Sequence, residues 1–192
     1  MECNHRNCNW RCQVKKLLLS SGFGDVWLNQ RVNNEKVFLH IFKQRLIDNF
    51  IQLRNEFFEG SSKCYLYKFL IDSFTLQHYL TKSIPDIYLR LISKFRLSSH
   101  QLRLEQGRYQ NIPREHRICL HCNQNLVEDE FHFILICPLY VNLRKKFIKR
   151  YYWSRPSSFK LVQLLTVCNR KELCYLGKFL KSSLLLRSSI QV

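Results

Sequence analysis

The residues best able to do chemistry lie in one short stretch. Cys119 and Cys122 are two residues apart, His132 follows after nine more, and Cys137 after a further four: C-x2-C-x9-H-x4-C. Thiolate sulfur and imidazole nitrogen are the donors that structural zinc takes, four at a time in a tetrahedron. A C-x2-C turn places two thiolates on one side of an ion. His132 and Cys137 must then return on the other side. They are five positions apart, more than one α-helical turn. Both face inward only if the helix tightens or stops between them. Pro138 provides a stop, because the residue before a proline avoids helical dihedrals. Four protein ligands close the site, so one structural zinc is expected, with no open position for catalysis. His121, inside the turn, and His116, just before it, compete as ligands, but His132 fits the spacing best. The alternative reading is three buried thiols and a core histidine.

The chain has nine cysteines. An odd number in a chain without an apolar leader at residues 1–11 points to an intracellular protein, nuclear or cytoplasmic, with thiols and metal ligands rather than disulfides. No run of apolar residues is long enough to span a bilayer, so no membrane is expected among the partners. Cys3, His5, Cys8 and Cys12 lie in a polar, Asn-rich segment. They belong either to a disordered leader or to a second metal site of unfamiliar spacing. The acidic run Glu128-Asp-Glu130 reads as a helix N-terminus, where carboxylates cap and favour the dipole, rather than as a catalytic cluster.

The elements that must carry these residues are helices. Only 5 Gly and 4 Pro stand beside 14 Phe and 9 Tyr. Spacing predicts helices over 14–19, 34–58, 62–71, 76–80, 85–95, 138–151, 158–167 and 170–186. The longest, 34–58, carries Phe38, Ile41, Phe42, Leu46, Asn49, Phe50, Leu53 and Phe57 at helical spacing and is expected to face a core. Short strands are expected only at 101–105 and 117–120. The fold class is therefore mainly α: a helical domain with a small zinc-knuckle-like module inserted between helices. Residues 1–12 form a polar leader and 13–92 a helical region. Residues 93–150 form the zinc-binding module with flanking basic segments, and 151–192 the basic C-terminal helices.

Lys and Arg total 31 against 14 Asp and Glu, a net charge of +17. From 141 to 192, twelve Lys and Arg face one acid, Glu172. Lys145, Lys146, Lys149, Arg150 and Arg155 cluster after the metal motif, interleaved with Tyr151, Tyr152 and Trp153. Arg96, Arg103, Arg108, Arg114 and Arg117 lead into it. Cations beside aromatics suit a single-stranded RNA or DNA partner, held electrostatically. The competing reading is a solvated helix face over core aromatics. His40, His78 and His100 are expected to be structural or at the surface.

Several motifs in order carry a family resemblance. Ile92-Ser-Lys-Phe-Arg and His100-Gln-Leu-Arg-Leu-Glu-Gln-Gly-Arg108 precede Pro113-Arg-Glu-His-Arg-Ile-Cys119. Glu128-Asp-Glu-Phe-His132-Phe and Cys137-Pro-Leu-Tyr140 follow. Residues 90–150 resemble the C-terminal zinc-binding region of reverse transcriptases from non-LTR (LINE-like) retrotransposons. Looser similarity extends through 22–46 and 151–156. The resemblance implies that Cys119, Cys122, His132 and Cys137 hold zinc, and that the region grips template RNA or target DNA. It also implies a possible partnership with a polymerase encoded elsewhere. It carries no enzymatic activity over. The five Asp, at 25, 48, 72, 86 and 129, include no adjacent pair, and two-metal polymerase chemistry needs paired carboxylates. A zinc-stabilised protein-interaction module and a decayed fragment without a selected role remain the alternatives.

Overall fold

A computed structural model describes residues 9–61, 63, 65–71 and 75–190. Cys3, His5 and Cys8 of the amino-terminal cluster lie outside them. The structure is mainly helical, and among the described residues β pairing is limited to one antiparallel bridge, Ile118 to Val127. The chain divides into two compact units, 1–60 and 61–192. The boundary cuts through the expected 13–92 region. The expected zinc module and C-terminal helices belong to the second unit together.

The first unit holds α1 (Trp10–Ser20), α2 (Gly24–Asn29) and α3 (Glu35–Gly60). Asn9 caps α1, its side chain accepting from the Cys12 N–H at 3.2 Å. Gly22, with φ +82, takes the left-handed backbone that lets the chain turn into α2. Phe23 meets Phe38 and Phe42 edge-on at 5.5 Å, and Phe38 stacks on Phe42. Little else of this unit is dry. Leu18 and Ser21 are its buried residues among those described, and Ile41, Phe50, Leu53 and Phe57 of α3 are exposed. The core-facing role expected for all of α3 therefore holds only for the side bearing Phe38, Phe42 and Leu46.

The second unit is built on α4 (Asp86–Arg96) and α9 (Arg170–Ser189). Asn169 caps α9 by accepting from the Lys171 and Glu172 N–H groups. Leu173, Leu176, Gly177, Leu180 and Ser183 recur at i, i+3, i+4, i+7 and i+10 and are buried. They meet Ile92 and Phe95 of α4, with Phe133, Tyr140 and Leu165 completing the core. Each fully buried large apolar side chain of this kind contributes about 1.5–3 kcal/mol. At Gly177 the two helices approach closely: a Cβ there would lie 2.3 Å from Tyr88 Cβ.

Short elements fill the space between. α5 (Arg103–Tyr109) stands where a strand was expected at 101–105. Leu102 and Leu104 are both buried, which imitates period-two alternation, but Leu102 is the residue before the helix starts. Residues 62–71, expected as a helix, contain only the 3-10 turn Tyr67–Phe69 among their described positions. The single helix expected over 138–151 is three pieces: a 3-10 turn Pro138–Tyr140, α6 (Val141–Phe147) and α7 (Arg150–Trp153). Ile148 leaves the helix in an extended conformation, buries its side chain, and offers its carbonyl to Trp153 Nε1 at 3.0 Å. α8 (Ser158–Leu165) leads on to α9. No helix among the described residues is long and apolar enough to cross a membrane.

Gly177→Ala tests the α4–α9 contact. Alanine improves helix propensity by at most about 1 kcal/mol. The clash is with a Cβ, which cannot swing aside, so overpacking should outweigh that gain and lower unfolding stability by about 1–3 kcal/mol in a urea titration. An unchanged or higher midpoint would contradict the packing.

Candidate metal centre

The hairpin that presents Cys119 and Cys122 is fastened by the Ile118–Val127 bridge. The Cys119 N–H donates to the Leu126 carbonyl and the Glu128 N–H to that of Arg117, both at 2.9 Å. Asn125, with φ +53, closes the turn. The hairpin therefore brings the chain back to position 128 beside its own start.

Asp129 then opens a helical turn, its Oδ1 accepting from the His132 N–H at 2.9 Å. Of the three acids in this run, Asp129 is the cap that the sequence implied. Residues His132–Ile136 wind as π-helix, and the Cys137 N–H donates to the His132 carbonyl at 2.7 Å. The helix widens where tightening or stopping was expected. An i to i+5 bond sets residues five apart on one face, which is the spacing of His132 and Cys137. Cys137 itself turns extended, φ −50 and ψ 123, ahead of Pro138. The stop expected from the proline is thus also present.

As a result Cys119, Cys122, His132 and Cys137 come together, one donor atom from each lying within 4.8 Å of the others. His132 Nε2 and Cys122 Sγ are 3.3 Å apart. A tetrahedral ion with bonds to sulfur of ~2.3 Å sets its ligand atoms ~3.8 Å apart, so the four donors are close to that arrangement. Cys119, His132 and Cys137 are buried and Cys122 is half-buried. The cluster can hold a metal ion. His116 and His121 are not members of it.

The electrostatics suit a cation. Hydrogen bonding with the Cys137 thiol holds the Cys119 thiol well below its ordinary range, against the opposing effect of burial. The same pairing, with burial, pushes the Cys137 thiol up. Burial also raises Cys122. A cation bound there must displace the protons that the raised thiols of Cys122 and Cys137 hold. Arg144, only 3% exposed, directs its guanidinium to the carbonyls of Ile134, Ile136 and Cys137. Those carbonyls belong to the wide turn and its end, where regular helical partners are lost.

Buried acids tie this segment to the rest of the unit. Glu128 accepts from Arg187 Nε and Nη2 of α9 at 2.8 and 2.9 Å, and from the Arg103 N–H at 2.7 Å. Removing one partner of such a buried pair costs about 3–5 kcal/mol. Glu130 bonds Ser98 and His100, so His100 is structural. Neither the Arg187 anchor nor the Arg144 clamp was legible in the sequence, where both counted only as surplus charge.

The second candidate set divides. Arg96 is 2% exposed, bonded to the Leu165 and Leu70 carbonyls and lying over the Tyr79 ring. Arg117 donates to the Ile112 and Leu104 carbonyls, its stem crossing Gly107, where a Cβ would lie 2.6 Å from Arg117 Cγ. Arg108 pairs with Glu105, and Arg114 lies 3.6 Å from Asp129. Arg103 is half-buried, its backbone N–H bound to Glu128. Arg96 and Arg117 thus fasten the fold with their guanidinium groups, while Arg114 is exposed and Arg103 and Arg108 are half-buried. Lys145, Lys146, Lys149 and Arg150 instead converge with Lys171, Tyr152 and Tyr175 around an open cleft of ≈ 590 Å³. Lys149 is paired with Glu172 at 2.7 Å. Arg155 is exposed and is not part of the cleft lining. Lys171 and Tyr175 were missed because one helix intervenes between them and the basic cluster in sequence. No family model matches the chain, and no curated protein or solved structure does.

Purified protein should carry one bound metal ion by elemental analysis, lost in both Cys119→Ser and His132→Ala. The loaded site holds fewer protons than the free one, so acid favours release. Retention should be complete near neutrality and fall as the pH is lowered. Metal retained unchanged in either variant would contradict this assignment.

Proposed function

We propose that this chain is a non-catalytic, zinc-stabilised module that holds single-stranded RNA or DNA in the cleft between α6, α7 and the start of α9. The observation that carries the reading is the convergence of Lys145, Lys146, Arg150 and Lys171 beside Tyr152 and Tyr175. Ammonium and guanidinium groups neutralise phosphates, and aromatic faces stack bases at about 1–3 kcal/mol per base. Zinc is the metal that fits three cysteines and one histidine with no open position. Its role is to pin the 119–126 hairpin to the 132–137 turn, which leads directly through Pro138 into α6 and the cleft.

The resemblance to the zinc-binding region of non-LTR retrotransposon reverse transcriptases supports this reading. On this reading the module works with a polymerase encoded elsewhere. No base-specific contact follows from the cleft, so binding should tolerate sequence changes.

Affinity for a labelled single-stranded RNA should fall steeply and linearly on a log–log plot against salt, with a slope of about 0.7 per phosphate contacted. Lys145→Ala with Lys146→Ala should reduce that slope by about 1.4. Arg155→Ala, outside the cleft, should change it far less. Binding absent at low ionic strength would overturn the nucleic-acid role. Retention of a protein partner in high salt would favour the protein-interaction module instead.

A further inference from the structure

The basic cleft has a neighbour. Ile148, the residue that breaks the helix between α6 and α7, is 5% exposed and lines two hollows at once. One is the ≈ 590 Å³ cleft between α6, α7 and the start of α9. The other, of ≈ 670 Å³, is lined by Lys145, Ile148, Arg150, Trp153 and Ser154. Lys145, Ile148 and Arg150 are common to both. The hollows therefore lie side by side, and these three residues form the wall they share.

Their electrostatics differ. Glu172 lines the cleft, where it pairs with Lys149 at 2.7 Å. No acid lines the second hollow. Lys145 and Arg150 are exposed, and neither forms an ion pair among the described residues. Two uncompensated cations on the shared wall attract anionic groups from either side.

The aromatic residues next to this wall are divided between the hollows. Tyr152 lines the cleft and Trp153 the second hollow. Tyr151 lines neither: its hydroxyl donates to Gln163 at 2.9 Å, and Lys160 lies over its ring. Trp153 is half-buried, and its Nε1–H is fixed to the Ile148 carbonyl at 3.0 Å. A ring already held in place loses little freedom when a base packs on it.

We infer that the two hollows are one continuous site. A single strand held in the cleft crosses the Lys145–Arg150 wall and lays its next bases against Trp153. This rests on the nucleic-acid reading of the cleft and extends it to a second set of contacts. A phosphate chain suits the pair because its charges meet the cationic wall while its bases fall to an aromatic residue on each side. A small anion would need only one hollow.

The test uses the full chain with Trp10→Phe and Trp27→Phe, which leaves Trp153 as its one tryptophan. Titration with single-stranded poly(U) RNA at low ionic strength should quench Trp153 emission saturably. The midpoint should match the anisotropy of labelled RNA, and added salt should reverse the quenching. Trp153→Leu should weaken binding by about tenfold and leave the salt slope unchanged. Trp153→Phe, which keeps a ring, should lose less. Ser154 is exposed and lines only the second hollow. Ser154→Lys should steepen the log–log salt slope by about 0.7. Ser188→Lys, at the other end of α9, should change it far less. RNA that binds without moving Trp153 emission or responding to Ser154→Lys would overturn the continuous site and leave the cleft reading standing. No binding at low ionic strength would overturn both.

Discussion

Four donor atoms from two separate segments have to meet at one point, and the second unit is arranged around that requirement. The hairpin supplies two sulfurs on a C-x2-C turn. A regular helix cannot supply the other two donors at a spacing of five. The π-helical turn resolves this by bonding the Cys137 N–H back to the His132 carbonyl. The departure from α geometry leaves carbonyls without partners, and the buried guanidinium of Arg144 takes them up. Glu128, between hairpin and turn, is clamped by Arg187 from the far end of α9. The metal cluster is thus tied to the helix pair that forms the core.

This makes sense of how a strongly basic chain distributes its cations. One group is spent inside: Arg96, Arg117 and Arg144 serve backbone carbonyls, where a planar fork of donors satisfies several acceptors at once. The other group is largely lysine and stays in water around the cleft, where flexible ammonium groups can follow a phosphate backbone. Arg150 and the partially engaged Lys149 are the exceptions on that side. Net charge alone could not separate the two groups, although they have opposite consequences for binding.

The metal motif was legible because ligand chemistry fixes residue types and tolerates only a few spacings. The long helices were legible for a similar reason: Leu173 to Ser183 repeat at helical spacing, and Asn169 announces the start. What the sequence concealed was the response of the backbone to its surroundings. The wide turn at His132–Ile136 has no periodic signature, since all of 132–135 are buried whichever way the segment winds. The break at Ile148 falls in an otherwise good helical pattern and is imposed by a side chain that must reach the core. Leu102 and Leu104 imitated a strand because the cap residue is as deeply buried as the helix it precedes. The 62–71 segment has helical composition, but its described part winds only as short turns. On α3 the apolar spacing was read as a core face, while Ile41, Phe50, Leu53 and Phe57 of that pattern turn to water.

X-ray absorption at the zinc edge of protein purified at neutral pH tests the central claim most directly. The account predicts three sulfur neighbours at ~2.3 Å and one nitrogen at ~2.0–2.1 Å, with no water in the shell. An oxygen-rich shell, or folded protein without metal, would contradict it.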